Sequence, residues 1–162
     1  MSYVESLARP LIDNGLVTLQ AIEGCSDADI AALLAAQGVD AIPESYRQFL
    51  SFGGKNPYWL TRTGEWDYEW LLEAKQTARE IVVDDHGLDF APFEDAFIFQ
   101  THQGYMFYYF RADDLRAADP HFWIYSEQQP VQPNSQTFNE WLKELADYLP
   151  RAIELRRKMG IQ

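Results

Sequence analysis

Residues 97–110, FIFQTHQGYMFYYF, set the tightest limit on what this chain can fold into. Two runs rich in Phe, Tyr and Ile flank a short polar break, and such residues favour pleated, half-buried surfaces. Gly104 sits in the break and can adopt the left-handed backbone that tight hairpin turns need. The stretch therefore predicts an antiparallel hairpin with both faces covered. HFWIYSE, after the turn AADP, predicts a third strand.

Helical signals lie on either side. SDADIAALLAAQG has Ser26 and Asp29 at capping spacing, Ile30, Leu33 and Leu34 on one face, and Gly38 as a stop. In IPESYRQFLSFGG, Pro43 sits where a missing N–H costs nothing, Tyr46, Phe49 and Leu50 share a face, and Gly53-Gly54 end the helix. NPYWLTRTGEW reads as turns around a short aromatic strand. YEWLLEAKQTAREIVVDDHG has helical spacing through Leu71, Leu72, Ala78 and Val82, with Gly87 as its stop. TFNEWLKELADYL has a capping box in Thr137 and Glu140, with Phe138, Trp141, Leu142, Leu145 and Leu149 along one face. Pro150 is expected to break or kink that helix before a basic terminal helix. The order predicts an α+β fold: one domain over 1–162, with a central, mainly antiparallel sheet flanked by helices. Its core is expected over about 26–149, with 150–162 as a basic helical extension.

Composition agrees with a globular chain, since 47% of the 162 residues are hydrophobic and 15% aromatic. No apolar run reaches the roughly 18–20 residues of a membrane helix. The first residues, MSYVESLARPLIDNG, lack the basic start and apolar core of a signal peptide, so a cytoplasmic location is expected. A single cysteine, Cys25, excludes an internal disulfide and a multi-cysteine metal site.

The formal charge is −12. Such a surface repels nucleic acid and anionic lipid and suits a basic partner, although solubility alone can also select acidic surfaces. The charge is uneven. Residues 65–95 hold ten acids against Lys75 and Arg79, and so carry −8 of the total. Beyond Pro150 the sign reverses, with Arg151, Arg156, Arg157 and Lys158 against Glu154. These bases are expected to complement the helix end and cover the body's own acids.

No constellation demands catalysis. His102 has only Thr101 and Tyr105 as local hydroxyls, and its expected role is a bond to backbone in a hairpin corner. Asp84, Asp85, His86 and Asp89 lack the ligand alternation of a calcium loop and read as a solvated helix end. Glu65 and Asp67 among Trp66, Tyr68 and Trp70 fit core packing, an interface patch or a carboxylate pair in a sugar site, and the sequence leaves all three open. Phosphate loops, dinucleotide fingerprints and zinc spacings are missing, so neither cofactor nor metal is expected.

The series Ile42, Pro43, Tyr46, Arg47, Phe49, Leu50, Gly53 and Gly54, followed by the aromatic hairpin, DPHFWIYSE and TFNEWLKEL, resembles the SUKH superfamily from about Ser26 to Leu149. The resemblance implies an α+β domain without catalytic residues. Bacterial members are mostly immunity proteins that neutralise toxins, often nucleases, and fungal relatives act in cell-wall regulation. The implied function is binding of a cognate toxin, with a regulatory interaction domain acting on a host partner as the alternative. The acidic stretch and the basic extension lie outside the shared motifs. Insertions on a common scaffold often carry specificity, so the expected partner-binding residues are Asp84, Asp85, Asp89, Glu94 and Asp95, with Glu65, Trp66, Asp67 and Tyr68.

Overall fold

A computed structural model describes residues 1–127 and 131–160. Strands β1 (Phe97–His102), β2 (Met106–Phe110), β3 (His121–Ser126) and β4 (Gln132–Thr137) form an antiparallel sheet in the order β1-β2-β3-β4. Around it, among the described residues, lie six α-helices: α1 (Tyr3–Asp13), α2 (Asp27–Gln37), α3 (Glu44–Gly53), α4 (Tyr68–Leu71), α5 (Ala74–Arg79) and α6 (Phe138–Lys158). The fold is a single α+β domain.

The hairpin turns where expected. Gln103 and Gly104 have φ of 50° and 78°, and Tyr105 N donates to His102 O at 3.0 Å, closing a turn with two left-handed residues. The register slips between Ile98 and Gln100, so Phe99 and Gln100 together oppose Tyr108. This bulge keeps Phe99 among the core rings and sends Gln100 toward Thr63 O, to which it donates at 3.1 Å. The free edge of β1 is closed by buried Gln37, whose Nε2 donates to Leu71 O and Ile98 O while its Oε1 accepts from Ile98 N.

Caps fix the helix starts. Ser26 and Asp29 form a reciprocal capping box on α2, and Thr137 and Glu140 form another on α6. Gly38 ends α2 at φ 69°. On the α6 side of the sheet, Tyr46, Phe97, Phe99, Phe110, Phe122 and Phe138 are buried rings, joined by Trp141.

The architecture departs from the sequence reading at five places. Residues 3–13 form α1 despite Pro10, capped by Ser2 and burying Val4, Ala8 and Leu11. The aromatic strand expected in NPYWLTRTGEW is a single 3-10 turn at Pro57–Trp59, because Trp59 folds back to donate to Gly53 O at 2.9 Å. Only Glu65 reaches the sheet there, in an isolated bridge to Thr101. The long helix expected before Gly87 is split into α4, α5 and a π turn at Glu80–Asp85. QPNSQT forms β4, an edge strand where Pro133 is tolerated because one side of the strand has no strand neighbour among the described residues. Lastly, α6 continues through Pro150 to Lys158. Leu149 and partly buried Ile153 pack on the core to either side, which holds the helix through the missing N–H.

Candidate functional site

The helix–π junction and the far face of the sheet together build a groove. In β2 and β3, Phe107 faces Tyr125 and Tyr109 faces Trp123, so these four rings share the face away from α6. Phe93 packs edge-on to Phe107, Tyr109 and Tyr125 at 5.2–5.4 Å. Among the described residues the cover then stops. Between Val82, Leu88 and Pro92 on one side and Tyr109, Trp123 and Val131 on the other lies a largely apolar groove of about 570 Å³. Leu88 is 55% and Val131 43% exposed at its rim, and Val83 is exposed nearby. Arg111 lies over the Trp123 ring at 4.5 Å, and Asp89 lines the opposite wall.

The π turn sets that rim. Widening the helix at Glu80–Asp85 leaves Ile81 and Val82 buried and brings Val83, Asp84 and Asp85 to the surface. His86 follows, its side chain only 8% exposed, with Nδ1 2.7 Å from the Tyr125 hydroxyl and Nε2 3.5 Å from Glu127. The solvated helix end therefore comprises Asp84, Asp85 and Asp89, while His86 turns inward and ties the π turn to β3. Asp89 also accepts from Ala91 N at 3.0 Å, fixing the bend that aims Leu88 outward.

Glu94 and Asp95 are exposed elsewhere, on the α5 side. Glu94 pairs with Arg79 at 3.0 Å, and Lys75 donates to Glu94 O at 2.7 Å. Burial pushes the Lys75 ammonium down to about 8, against the opposing pull of Asp95 and Glu94. The two cations of the acidic stretch are thus spent on this corner, whereas Asp84, Asp85 and Asp89 are exposed and form no ion pair among the described residues.

The residues between Glu65 and Tyr68 are structural. Trp66 is 1% exposed and stacks on Phe49 at 5.0 Å, and Tyr68 is buried with its hydroxyl donating to Asp29 O at 3.0 Å. Neither can meet a partner as an exposed anchor. Of the three readings the sequence left open, core packing holds for these two rings, and the acids beside them each have a local task. Glu65 accepts from Gln103 N at 3.1 Å and Thr101 Oγ1 at 3.2 Å, pinning the hairpin turn. Asp67 caps α4 through Trp70 N and accepts from Tyr58 OH at 2.7 Å, and burial, then this bond, raises the Tyr58 phenol to about 12. A carboxylate pair poised for sugar chemistry is not what these contacts make.

His102 bonds a side chain rather than backbone, with Nε2 2.9 Å from Gln100 Oε1 and its ring 5.0 Å from Tyr108. Burial lowers its pKa. Cys25 is buried beneath Asp29 and Lys55, and burial raises its thiol to about 11, far from the thiolate a nucleophile needs. Among the described residues no His, Cys, Asp and Glu side chains cluster as a metal site, and no helix is long and apolar enough to cross a membrane.

Sequence reasoning marked the acidic stretch but not the groove beside it. Trp123 and Tyr125 alternate onto one face of HFWIYSE, so their shared side was readable. What covers that side was not, because it depends on where the π turn and Phe93 land.

The profile of the SMI1 / KNR4 family (SUKH-1) matches residues 24–144, from just before the α2 cap into α6. The acidic stretch lies inside that span. No curated protein and no solved structure gives a match. The family is generally non-catalytic and includes immunity proteins, and its members typically bind toxin partners. With most of its length inside the match, the chain belongs to the SMI1 / KNR4 family (SUKH-1).

Proposed function

We propose that this protein is a non-enzymatic, cytoplasmic immunity protein of a bacterium that binds and neutralises a cognate toxin, a basic nuclease, through the Trp123 groove and its acidic rim. The observation that carries this reading is an open aromatic groove with Asp89 in its wall, next to the π turn on which Asp84 and Asp85 are exposed. Exposed apolar grooves rimmed by polar groups mark contact sites, and Trp and Tyr in pockets supply most of the energy at such sites. The carboxylates add charge complementarity to a surface built to hold nucleic acid, which speeds encounter and disfavours partners without bases. Glu94 and Asp95 act at longer range from the α5 corner. Glu65 and Asp67 support the fold, and Trp66 and Tyr68 lie beneath the surface.

The test uses the polypeptide encoded immediately upstream. Purified protein should form a stoichiometric complex with it and block its cleavage of nucleic acid. If the upstream polypeptide neither binds nor is inhibited, the regulatory-domain alternative takes precedence.

A further inference from the structure

The second half of α6 has a surface unrelated to that groove. Among the described residues Ile153 is the last hydrophobic one packed against the core, yet the helix runs on to Lys158. Tyr148 is 51%, Leu155 50% and Met159 65% exposed. With Leu145 and Ala152 they recur at alternating spacings of three and four residues, which places them on one stripe beside the core-facing side. Such a seam is the pattern of a helix that pairs with another helix.

The charges along α6 say which helix. Its first half carries Glu140, Glu144 and Asp147 against Lys143, and its second half carries Arg151, Arg156, Arg157 and Lys158 against Glu154. Arg151, Arg156 and Arg157 make no ion pair among the described residues, and Lys158 pairs only with Glu154 of its own helix. The tail therefore does not cover the body's acids, contrary to the expectation from sequence. A helix acidic in one half and basic in the other complements itself at both ends when turned end for end, with Arg151 alone meeting its own copy near the centre.

We propose that the protein forms an antiparallel homodimer through α6, with Leu145 packing on the partner copy's Leu155, Tyr148 on its Ala152, and Glu144 beside its Lys158. In the heptad these are matched layers flanked by positions that meet across an antiparallel seam. The Tyr–Ala layers set a large side chain against a small one. A groove of about 480 Å³ lies along Trp141, Leu145 and Tyr148, closed on its other side by Tyr108 and His102. Antiparallel pairing brings the other copy's Leu155 and Met159 to this groove, covering the exposed apolar ends of both chains. An isologous contact of this kind closes on itself and leaves the Trp123 groove of each copy open.

Sedimentation of the full chain over about a hundredfold range of concentration tests this, because self-association follows mass action. The expected species has twice the 18.8 kDa chain mass. Leu155→Asp with Met159→Asp should return it to monomer, and both side chains are exposed enough for the fold to survive, as circular dichroism would check. Glu144→Lys alone and Lys158→Glu alone should each weaken the dimer several-fold, and the combined E144K/K158E variant should restore it. A monomer at every concentration overturns the proposal, as does a dimer indifferent to these changes. A monomer whose binding to the upstream polypeptide fails in L155D/M159D also overturns it, by assigning the stripe to the toxin.

Discussion

The two faces of the sheet use the same kind of residue to opposite ends. Toward α6, Phe99 touches the rings of Tyr46, Tyr108, Phe110, Phe122, Phe138 and Trp141 at 4.6–6.0 Å. Toward the π turn, Phe93, Phe107, Tyr109 and Tyr125 form a smaller cluster, and Trp123 remains at its open margin. A 21-residue helix, with Tyr46 of α3, buries most rings of the first face up to the groove at Tyr108 and His102, whereas a short helix, a widened turn and a bend cover a smaller part of the second. The difference shows that aromatic content specifies burial potential, while the length and regularity of the covering element decide whether a ring becomes core or contact surface.

The sharpest break of this comparison is Phe99→Ala. Removing a wholly buried ring that links strand, helix and hairpin should cost about 3–5 kcal/mol, a large share of a typical domain's stability. Denaturant unfolding measures it. A loss no larger than that of an average surface substitution would mean that the α6 face is loosely packed.

Trp123→Ala on the other face should separate stability from binding. The ring is only partly buried, packing at the margin of the core beneath Arg111, so unfolding should shift far less than for Phe99→Ala. Affinity for the upstream polypeptide should fall by about 2 kcal/mol, some thirtyfold, as for an aromatic anchor in a docking pocket. Calorimetric titration beside thermal melts reads both. Equal affinity with lower stability would return Trp123 to the core and remove the groove from the interface.

How much of this contrast the sequence could reveal follows from range. Caps at Ser26 and Thr137, the turn at Gln103-Gly104 and the strand composition of β1–β3 are local, so they were legible. QPNSQT has no strand propensity of its own and becomes β4 only by pairing with β3. Pro10 and Pro150 look like helix breakers, yet both lie within helices that have buried faces to hold them. Trp66, which the sequence leaves open between core, interface patch and sugar site, is core because α3 supplies Phe49 beneath it. The acidic stretch was visible as charge, but the groove requires three separate segments to meet.

A milder perturbation of the open face is the triple change of Asp84, Asp85 and Asp89 to Asn. None is buried, so the fold should stand and the effect should fall on association. The on-rate for the upstream polypeptide should drop by about tenfold at low salt, with little change in dissociation. The gap should shrink as salt rises, because screening shortens from about 10 Å at 0.1 M to about 3 Å at 1 M. Stopped-flow at several ionic strengths checks this. An unchanged rate and salt slope would move the contact to Glu94 and Asp95 or away from the acidic stretch.

The smallest expected effect concerns the corner where the acidic stretch is neutralised. The Lys75 ammonium sits at about 8 against an ordinary 10.5, because burial disfavours its charge. Below pH 8 it is charged in both folded and unfolded chains, and the cost of burying it is fully present. Between pH 8 and 10.5 the unfolded chain holds the extra proton, so this contribution to stability rises with pH. Replacing Lys75 with Met removes the charge and keeps the stem that packs beside Arg79. It also removes the bond to Glu94 O, but that residue is exposed and its carbonyl can turn to water. The side chain keeps part of its hydration, so the gain at pH 7 should be about 1 kcal/mol or less, or about 2–4 °C in melting temperature. Melting K75M and the parent protein side by side from pH 7 to 10 isolates this group from other titrations. The K75M advantage should narrow as pH rises; a constant gap, or a less stable variant, would mean that Lys75 contributes through its hydrogen bond and ion pairs and that this corner is held by attraction to Glu94 and Asp95.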